Sequence, residues 1–264
     1  MNSKKIWADA IRKAVYSIGL VSIVWLFSGC RKEIPAIRSG VEYVTEGTNP
    51  QYIEGFFLVN EGNMGSNKCT IDYFDARIGG YYRNIYPERN PDIVKELGDV
   101  GNDIAIHGTR LYVVVNCSNF VEVMDVHTAR HIGSVTIPNC RYIVFQGDKA
   151  YVSSYAGPVQ IDPNARPGKV VEIDLATLQI TREVVVGYQP EEMVIHNGRL
   201  YVANSGGYRF PNYDRTVSVV DLETFTEIKK IETGVINLHR MELDVYGQIW
   251  VSSRGDYYGT SSKT

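Results

Sequence analysis

Two kinds of short polar segment recur along the sequence, and both carry side chains suited to binding a polar ligand. The first kind combines amides, hydroxyls and tyrosine, as in Asn204-Ser205-Gly206-Gly207-Tyr208, and the second adds arginine and histidine, as in Asn237-Leu238-His239-Arg240. Amide side chains both donate and accept hydrogen bonds, while tyrosine covers contact area with little loss of side-chain entropy. The combination predicts non-covalent capture of a polar ligand with flat parts.

The predicted binding residues are the amide, acidic, aromatic and basic side chains of these segments. Any single Asn, Ser or Gly is also explained as a turn former, whereas turns do not require Tyr or Arg. The predicted ligand-binding set is Asn60, Glu61, Asn102, Asn116, Arg141, Tyr142, Tyr155, Glu191, Asn204, Tyr208, His239, Arg240, Arg254 and Tyr257.

Short β-strands that repeat along the chain must position these segments. Apolar residues alternate with a period of two in runs rich in Val, Ile, Thr and Tyr, which indicates strands. One anchor recurs at intervals of roughly 39 to 55 residues, a spacing typical of propeller blades, as Leu111-Tyr112-Val113, Ala150-Tyr151-Val152, Leu200-Tyr201-Val202 and Ile249-Trp250-Val251, and more loosely as Phe56-Phe57-Leu58. A turn recurs in phase with it, as Asp125-Val126-His127-Thr128, Asp174-Leu175-Ala176-Thr177 and Asp221-Leu222-Glu223-Thr224, with Asp75-Ala76-Arg77-Ile78 as a degenerate copy.

Two motifs repeating in phase predict an all-β fold, a β-propeller of four-stranded antiparallel blades. A single meander cannot cover both of its faces, and radial stacking against neighbouring blades buries them. An antiparallel sandwich is the alternative. Residues 53–264 are expected to hold about four blades and the opening strands of a fifth, so that the propeller is C-terminally incomplete. In this fold the two kinds of polar segment converge on one face around the central channel.

The first thirty residues are predicted to be a targeting segment. Lys4, Lys5, Arg12 and Lys13 precede an apolar run that ends in Leu26-Phe27-Ser28-Gly29-Cys30, which resembles a bacterial lipobox with Cys30 as the lipidated residue. An ordinary secretory signal or a membrane anchor is the alternative. Residues 31–52 are then a polar tether. Arg31-Lys32-Glu33 partly resembles the signal that sends lipoproteins to the bacterial cell surface, so we expect an outer-membrane protein, anchored by lipid alone, that faces the exterior.

Composition and charge narrow the possible partners and chemistry. The formal net charge of −3 offers no basic field for nucleic acid. Cys69, Cys117 and Cys140 remain once Cys30 is assigned to the lipid; a bridge between Cys117 and Cys140 and lone packed thiols both stay open. No catalytic or zinc motif is present. We therefore predict a protein that is not an enzyme and has no catalytic residues, metal or cofactor.

Two other function classes stay open. A propeller enzyme of lactonase or lyase type would hold a metal in the channel, with Glu61, Asn102, Asp103 and Glu191 as the available ligands. A structural surface-layer or protein-interaction propeller would use the same rim to bind a protein partner.

The repeated pattern Leu-Tyr-Val-x-Asn…Val-x-Val-Val-Asp-x-x-Thr resembles the YncE-like propellers from Phe56 to the end of the sequence. Together with Gly55–Asn63 and the lipobox, it resembles surface lipoproteins of gut Bacteroidota that capture cobalamin above a TonB-dependent transporter. The resemblance implies a ring of seven blades, a corrinoid ligand on the loop face, and delivery of that ligand to an outer-membrane transporter as partner.

Overall fold

The computed structural model describes residues 37–47, 54–93 and 96–256. All of them lie within one compact unit, Ile37–Thr264. The predicted signal peptide with Cys30, and Tyr257 of the predicted binding set, lie outside the described residues. Among the helices of the described ranges, none has the length and apolar character needed to cross a membrane.

The described chain is almost entirely β-structure, which confirms the predicted fold class. It forms four four-stranded sheets and one two-stranded sheet, and every strand pair is antiparallel. The first sheet consists of β1 (Gly40–Tyr43), β2 (Gly55–Asn60), β3 (Thr70–Asp75) and β4 (Gly80–Arg83). Their order across the sheet is β1-β4-β3-β2, and the short helix α1 (Ile85–Arg89) follows β4.

The later sheets follow one another along the chain as simple meanders. The second contains β5 (Gly101–His107), β6 (Arg110–Val115), β7 (Phe120–Asp125) and β8 (His131–Thr136). The third contains β9 (Cys140–Gln146), β10 (Lys149–Ser154), β11 (Lys169–Asp174) and β12 (Gln179–Val185). The fourth contains β13 (Pro190–His196), β14 (Arg199–Asn204), β15 (Thr216–Asp221) and β16 (Thr226–Glu232). The two-stranded sheet contains β17 (Leu238–Leu243) and β18 (Ile249–Ser253).

These sheets are the blades of a β-propeller. Strands β5, β9, β13 and β17 occupy the first, innermost position of successive blades, and each contacts the next. The first and second strands of a blade are antiparallel, so the start of β9 and the end of β10 lie on the same face of the propeller. We call this face the rim face.

The core is divided among the junctions between neighbouring blades. At the junction of the second and third blades, Tyr112 and Val121 pack with Ile143 and Val171. Separate apolar clusters fill the other three junctions between the described blades. Leu200, an anchor residue of the sequence repeat, is completely buried in one of them. Since each blade buries its faces only against its neighbours, the repeat in sequence is a repeat in packing.

The recurring Asp-x-x-Thr turns connect the third and fourth strands on the face opposite the rim face. In each, the Asp carboxylate accepts the backbone N–H of the Thr, at 2.9 Å for Asp125, 2.9 Å for Asp174 and 2.8 Å for Asp221. The degenerate copy differs because the Asp75 carboxylate binds the backbone N–H and the guanidinium of Arg77 instead. The side chain of the turn thus supplies the hydrogen bonds that the sequence pattern predicts.

The first blade differs from the later blades in two ways. Gly40–Tyr43 lies in the segment predicted to be a tether, yet it forms β1 and pairs with β4 along all four residues. In addition, β2 contacts β5 as the second-position strand β6 contacts β9, so β2 occupies the second position of its blade. Among the described residues no strand occupies the first position beside β2, and its inner edge is unpaired.

Candidate functional site

A buried ion pair joins the innermost strands of two neighbouring blades at the rim face. Arg141 and Glu191 are each the second residue of their strands, β9 and β13. The Arg141 guanidinium donates through Nε and Nη2 to Oε2 of Glu191, at 3.1 and 3.0 Å. The Glu191 side chain is fully buried and that of Arg141 is 10% exposed. Two hydrogen bonds to one buried carboxylate fix both side chains in a single geometry.

The other carboxylate oxygen of Glu191 collects further donors. Oε1 accepts the hydroxyl of Tyr155, which follows β10, and lies 3.5 Å from the hydroxyl of Ser205, which follows β14. Arg254, after β18, places Nη1 3.6 Å from the same oxygen. Burial raises the pKa of the Tyr155 hydroxyl well above its ordinary value, so Tyr155 stays protonated and donates.

Tyr142 of β9 and His239 of β17 extend this network. Tyr142 donates its hydroxyl to Nε2 of His239 at 2.8 Å, and Nη2 of Arg254 lies 2.7 Å from the same nitrogen. A guanidinium only donates, so Nε2 of His239 is the acceptor and its ring is neutral. Burial first, and then the positive charge of Arg254, lower the pKa of His239 to about 4, which agrees with that assignment.

Aromatic rings and guanidinium groups stack within the network. The guanidinium carbon of Arg141 lies 4.9 Å from the ring centroid of Tyr155, and that of Arg240 lies 4.9 Å from the ring centroid of Tyr142. The ring of Tyr208 meets that of Tyr155 edge-on at 6.2 Å. Arg240 also forms an ion pair with Glu192 at 3.0 Å. Such contacts hold guanidinium groups and aromatic rings side by side, with Arg141, Tyr142 and Tyr155 buried and Arg240 exposed.

The structure brings together eight predicted residues, which we call the rim network: Arg141, Tyr142, Tyr155, Glu191, Tyr208, His239, Arg240 and Arg254. Asn102 adjoins this network because its amide donates to the backbone carbonyl of Arg141. Two shallow cavities open at the same face, of about 240 Å³ beside Tyr155 and of about 230 Å³ beside Asn116.

The remaining predicted residues lie outside this network. Three amides at or just after the ends of second-position strands are used within the fold: Asn60 donates to Thr70 at 2.9 Å, Asn116 to the carbonyl of Cys140 at 2.8 Å, and Asn204 to Thr216 at 3.0 Å. Asn116 and Asn204 are also buried. Glu61 is exposed, and its backbone carbonyl accepts the N–H of Gly101. The three amides therefore stabilise the fold, and Glu61 lies beside the site.

Sequence reasoning left out of the binding set three residues that shape the network. Ser205 contacts Glu191, while Asp103 and Glu192 accept the backbone N–H groups of Ile143 and Met241 in the following blade, at 3.0 and 2.6 Å. Asp103 and Glu192 are the third residues of the innermost strands β5 and β13, so an alignment of the blades in sequence is the signal that could have identified them. Burial raises the pKa of Asp103 to about 6.

Two of the four residues predicted as possible ligands of a channel metal, Glu191 and Asp103, are engaged in other hydrogen bonds. Glu191 is held by Arg141 and Tyr155, and both carboxylate oxygens of Asp103 accept backbone N–H groups. Within the ranges 37–47, 54–93 and 96–256, no three His, Cys, Asp or Glu side chains lie close enough to hold a metal ion. The cysteines of these ranges, Cys69, Cys117 and Cys140, are free thiols.

Two solved structures are similar to this chain. Hydrazine synthase of Kuenenia stuttgartiensis matches with a TM-score of 0.55 at 18% identity, over 75% of this chain and 52% of that chain. The WD40 β-propeller domain of Doa1 matches with a TM-score of 0.49 at 12% identity, over 70% of this chain and 54% of that one. The chain thus spans about half the length of these proteins. At such identities the likeness concerns the fold alone.

Comparisons of sequence place the chain in a family. No curated protein matches it. The family model described as "Domain of unknown function (DUF5074)" matches residues 54–258, which include every described strand from β2 to β18. Since this match covers most of the sequence and nearly the whole predicted propeller, the chain belongs to the DUF5074 family.

Proposed function

We propose that this chain captures a polar ligand without chemical conversion, on the rim face of its propeller. The observation that carries the proposal is the rim network, in which arginine and tyrosine side chains from several blades are fixed by a buried carboxylate. Arg141 and Glu191 are buried, whereas the side chains of Arg240 and Arg254 are 54% and 44% exposed. A rigid buried layer therefore supports exposed cationic groups, an arrangement suited to binding a ligand with little loss of entropy.

The ligand that we propose is a corrinoid. Its support is the resemblance to cobalamin-capturing lipoproteins together with the chemistry of the rim network. A corrinoid presents a flat ring and peripheral carboxamides; the partly exposed Tyr208 offers aromatic surface, and the guanidinium groups of Arg240 and Arg254 offer donors to carboxamide oxygens.

The setting that we propose is the outer surface of a bacterial outer membrane. Lipidation of Cys30 would anchor the protein, and a TonB-dependent transporter would receive the ligand. Both rest on the sequence patterns of the first thirty-three residues and on the family resemblance. Labelling with a radioactive fatty acid tests the anchor: the wild-type chain should incorporate label, and Cys30→Ser should not. Equal labelling of both proteins would overturn the assignment of Cys30.

Titration calorimetry with cyanocobalamin tests the ligand. We expect one-to-one binding that Arg254→Ala and Arg240→Ala each weaken about tenfold, the size of a charge-assisted hydrogen bond of about 1.4 kcal/mol. Arg130→Ala, an exposed position on the outer part of the second blade, is the matched control and should bind like the wild type. The absence of heat with a folded protein, or equal loss in all three variants, would overturn corrinoid capture at this network.

A further inference from the structure

Two of the junctions between blades are fastened by an arginine that reaches the Asp-x-x-Thr turn of the next blade. Arg110 of the second blade donates to the carbonyl of Leu175 in the third. Arg182 of the third blade donates to the carbonyls of Leu222 and Glu223 in the fourth, at 3.2 and 2.9 Å. Each guanidinium thus satisfies carbonyls that the turn leaves open.

The junction between the first and second blades lacks both arginines. Gly55 pairs with Asp75 as Arg110 pairs with Asp125, so Gly55 stands at the position of Arg110. Tyr82 pairs with Tyr73, which lies two residues before Asp75 of the turn. Arg182 likewise pairs with Glu172, which lies two residues before Asp174. Tyr82 therefore stands at the position of Arg182.

A steric clash with the neighbouring strand excludes a side chain at position 55. A Cβ atom at Gly55 would lie 2.1 Å from the carbonyl oxygen of Phe74. The turn of the second blade, Asp125–Thr128, therefore receives no arginine from β2. Within the part of the chain that the structure describes, no side chain donates to the carbonyl of Val126 or of His127.

A smaller residue in that turn widens the same space. Ala129 follows the turn with φ 54°, and its counterparts in the next two blades are Leu178 with φ 56° and Phe225 with φ 53°. In the fourth blade the Phe225 ring lies under Arg182, 4.8 Å from its guanidinium carbon. The missing arginine and the missing ring leave a cavity of about 520 Å³, on the face opposite the rim face. We call it the junction cleft.

One wall of the junction cleft is aromatic. The ring centroids of Phe57 and Tyr73 are 4.8 Å apart, and those of Tyr73 and Tyr82 are 6.3 Å apart. Within the described ranges the hydroxyls of Tyr73 and Tyr82 have no hydrogen-bond partner. A row of ring faces that ends in open hydroxyl groups suits a flat group that carries several N–H donors.

Charged groups stand around this wall. The carboxylates of Glu54 and Asp75 line the cleft, and the guanidinium of Arg77 is held by Asp75 at 2.8 and 3.0 Å. Arg89 and His127 stand at its exposed margin. Glu54, the hydroxyls of the wall and the open turn carbonyls are therefore the acceptors available to an incoming group.

We propose that the junction cleft binds a guanidinium group on an apolar stem, as supplied by an arginine side chain of a partner peptide. The cleft offers the three kinds of partner that Arg182 uses at the homologous junction: turn carbonyls, a carboxylate and an aromatic ring. A planar guanidinium satisfies all three at once, which an ammonium group does not. The inference rests on the fold and is independent of the function proposed for the rim face.

Backbone amide NMR of the chain tests this proposal with two blocked amino acids. Nα-acetyl-arginine amide should shift the amide signals of Val126–Ala129 and Tyr73 in a saturable way. Nα-acetyl-citrulline amide, a neutral isostere with the same stem, should bind much more weakly. Equal shifts with both probes, or shifts confined to the rim face, would overturn the proposal.

Two variants locate the site. Ala129→Phe supplies the ring that Phe225 places under Arg182, at a backbone conformation that Phe225 already adopts, and should strengthen binding of the arginine probe. Glu54→Gln, at an exposed position, should weaken binding about two- to fivefold, the size expected for an exposed charge pair. Leu178→Phe, the same change at the next junction, is the control and should bind like the wild type. Unchanged binding of the arginine probe by Ala129→Phe with a native circular dichroism spectrum would sink the proposal.

Discussion

Arg141 and Glu191 lie fifty positions apart in the sequence, yet they form an ion pair between the innermost strands of adjacent blades, in which two guanidinium nitrogens donate to one carboxylate oxygen. The pair is withdrawn from water, since Glu191 is fully buried. The desolvation of two charges offsets most of their attraction, so the pair itself contributes little net stability. Breaking it has a different cost, because one charge is then left buried without a partner.

Glu191→Gln is therefore expected to destabilise the protein by about 3 to 5 kcal/mol, the cost of an unpaired buried charge. Glu192→Gln removes a carboxylate that is 23% exposed, and should cost about 1 kcal/mol or less for its ion pair with Arg240. Urea denaturation of both variants measures the difference. Equal losses in the two variants would show that Glu191 and Arg141 do not depend on each other.

The neutral His239 ring predicts a pH dependence of stability. Burial lowers its pKa from 6.5 to about 4 in the folded state, while the unfolded chain titrates near the ordinary value. The unfolded state therefore binds more protons between about pH 6.5 and pH 4, and this residue makes stability fall as the pH falls through that window. The unfolding free energy of wild type minus that of His239→Asn should decrease from pH 7.5 to pH 4.5. A difference that stays constant contradicts the neutral ring.

Core packing at the blade junctions predicts unequal costs for one substitution in two repeats. Leu200→Ala should cost about 2 to 5 kcal/mol because Leu200 is completely buried and its removal leaves a cavity. Ile249→Ala removes the residue at the same place in the last described blade, where the side chain is only partly buried, and should cost less. Thermal unfolding of the two variants measures both losses. A larger loss at Ile249 would contradict the packing described.

The thiols are expected to differ in reactivity. Burial raises the pKa of Cys69 and of Cys140 to about 12, and both are inaccessible. Cys117 is partly exposed, and burial raises its pKa as well. In a Cys30→Ser background, Ellman's reagent should modify Cys117 slowly and the other two only after unfolding. Rapid reaction of all three thiols in the native protein would contradict their placement.

The sequence was sufficient to predict the blades but not their edges. The Leu-Tyr-Val anchors and the Asp-x-x-Thr turns recur in phase because each blade repeats the same packing and the same turn hydrogen bonds. Strand β1 escaped prediction because Gly40–Tyr43 is short and exposed, and only its pairing with β4 makes it a strand. The vacant first position beside β2 is likewise a property of spatial neighbours.

The residue types of the site were predictable from the sequence, but the contacts between these residues were not. Arg141, Tyr155 and Arg254 were identified because turns do not require such residues, and they do meet around Glu191. Asn60, Asn116 and Asn204 belong instead to the fold, since an amide at the end of a strand serves local hydrogen bonds equally well. No sequence pattern links Arg141 to Glu191. The junction cleft, by contrast, was visible in principle, because Gly55 and Ala129 break the repeat.

The unpaired inner edge of β2 leaves the first blade open to pairing with another strand. Along Gly55–Asn60 the described structure leaves backbone donors and acceptors in water, and Phe56 and Leu58 beside them are 52% and 43% exposed. Such an edge is a template for strand addition, with hydrogen bonds from the main chain and affinity from the flanking apolar side chains. In a concentrated solution of this chain, self-association should begin at this edge, and its outward-facing amides should exchange with deuterium before those of β6, β10 and β14.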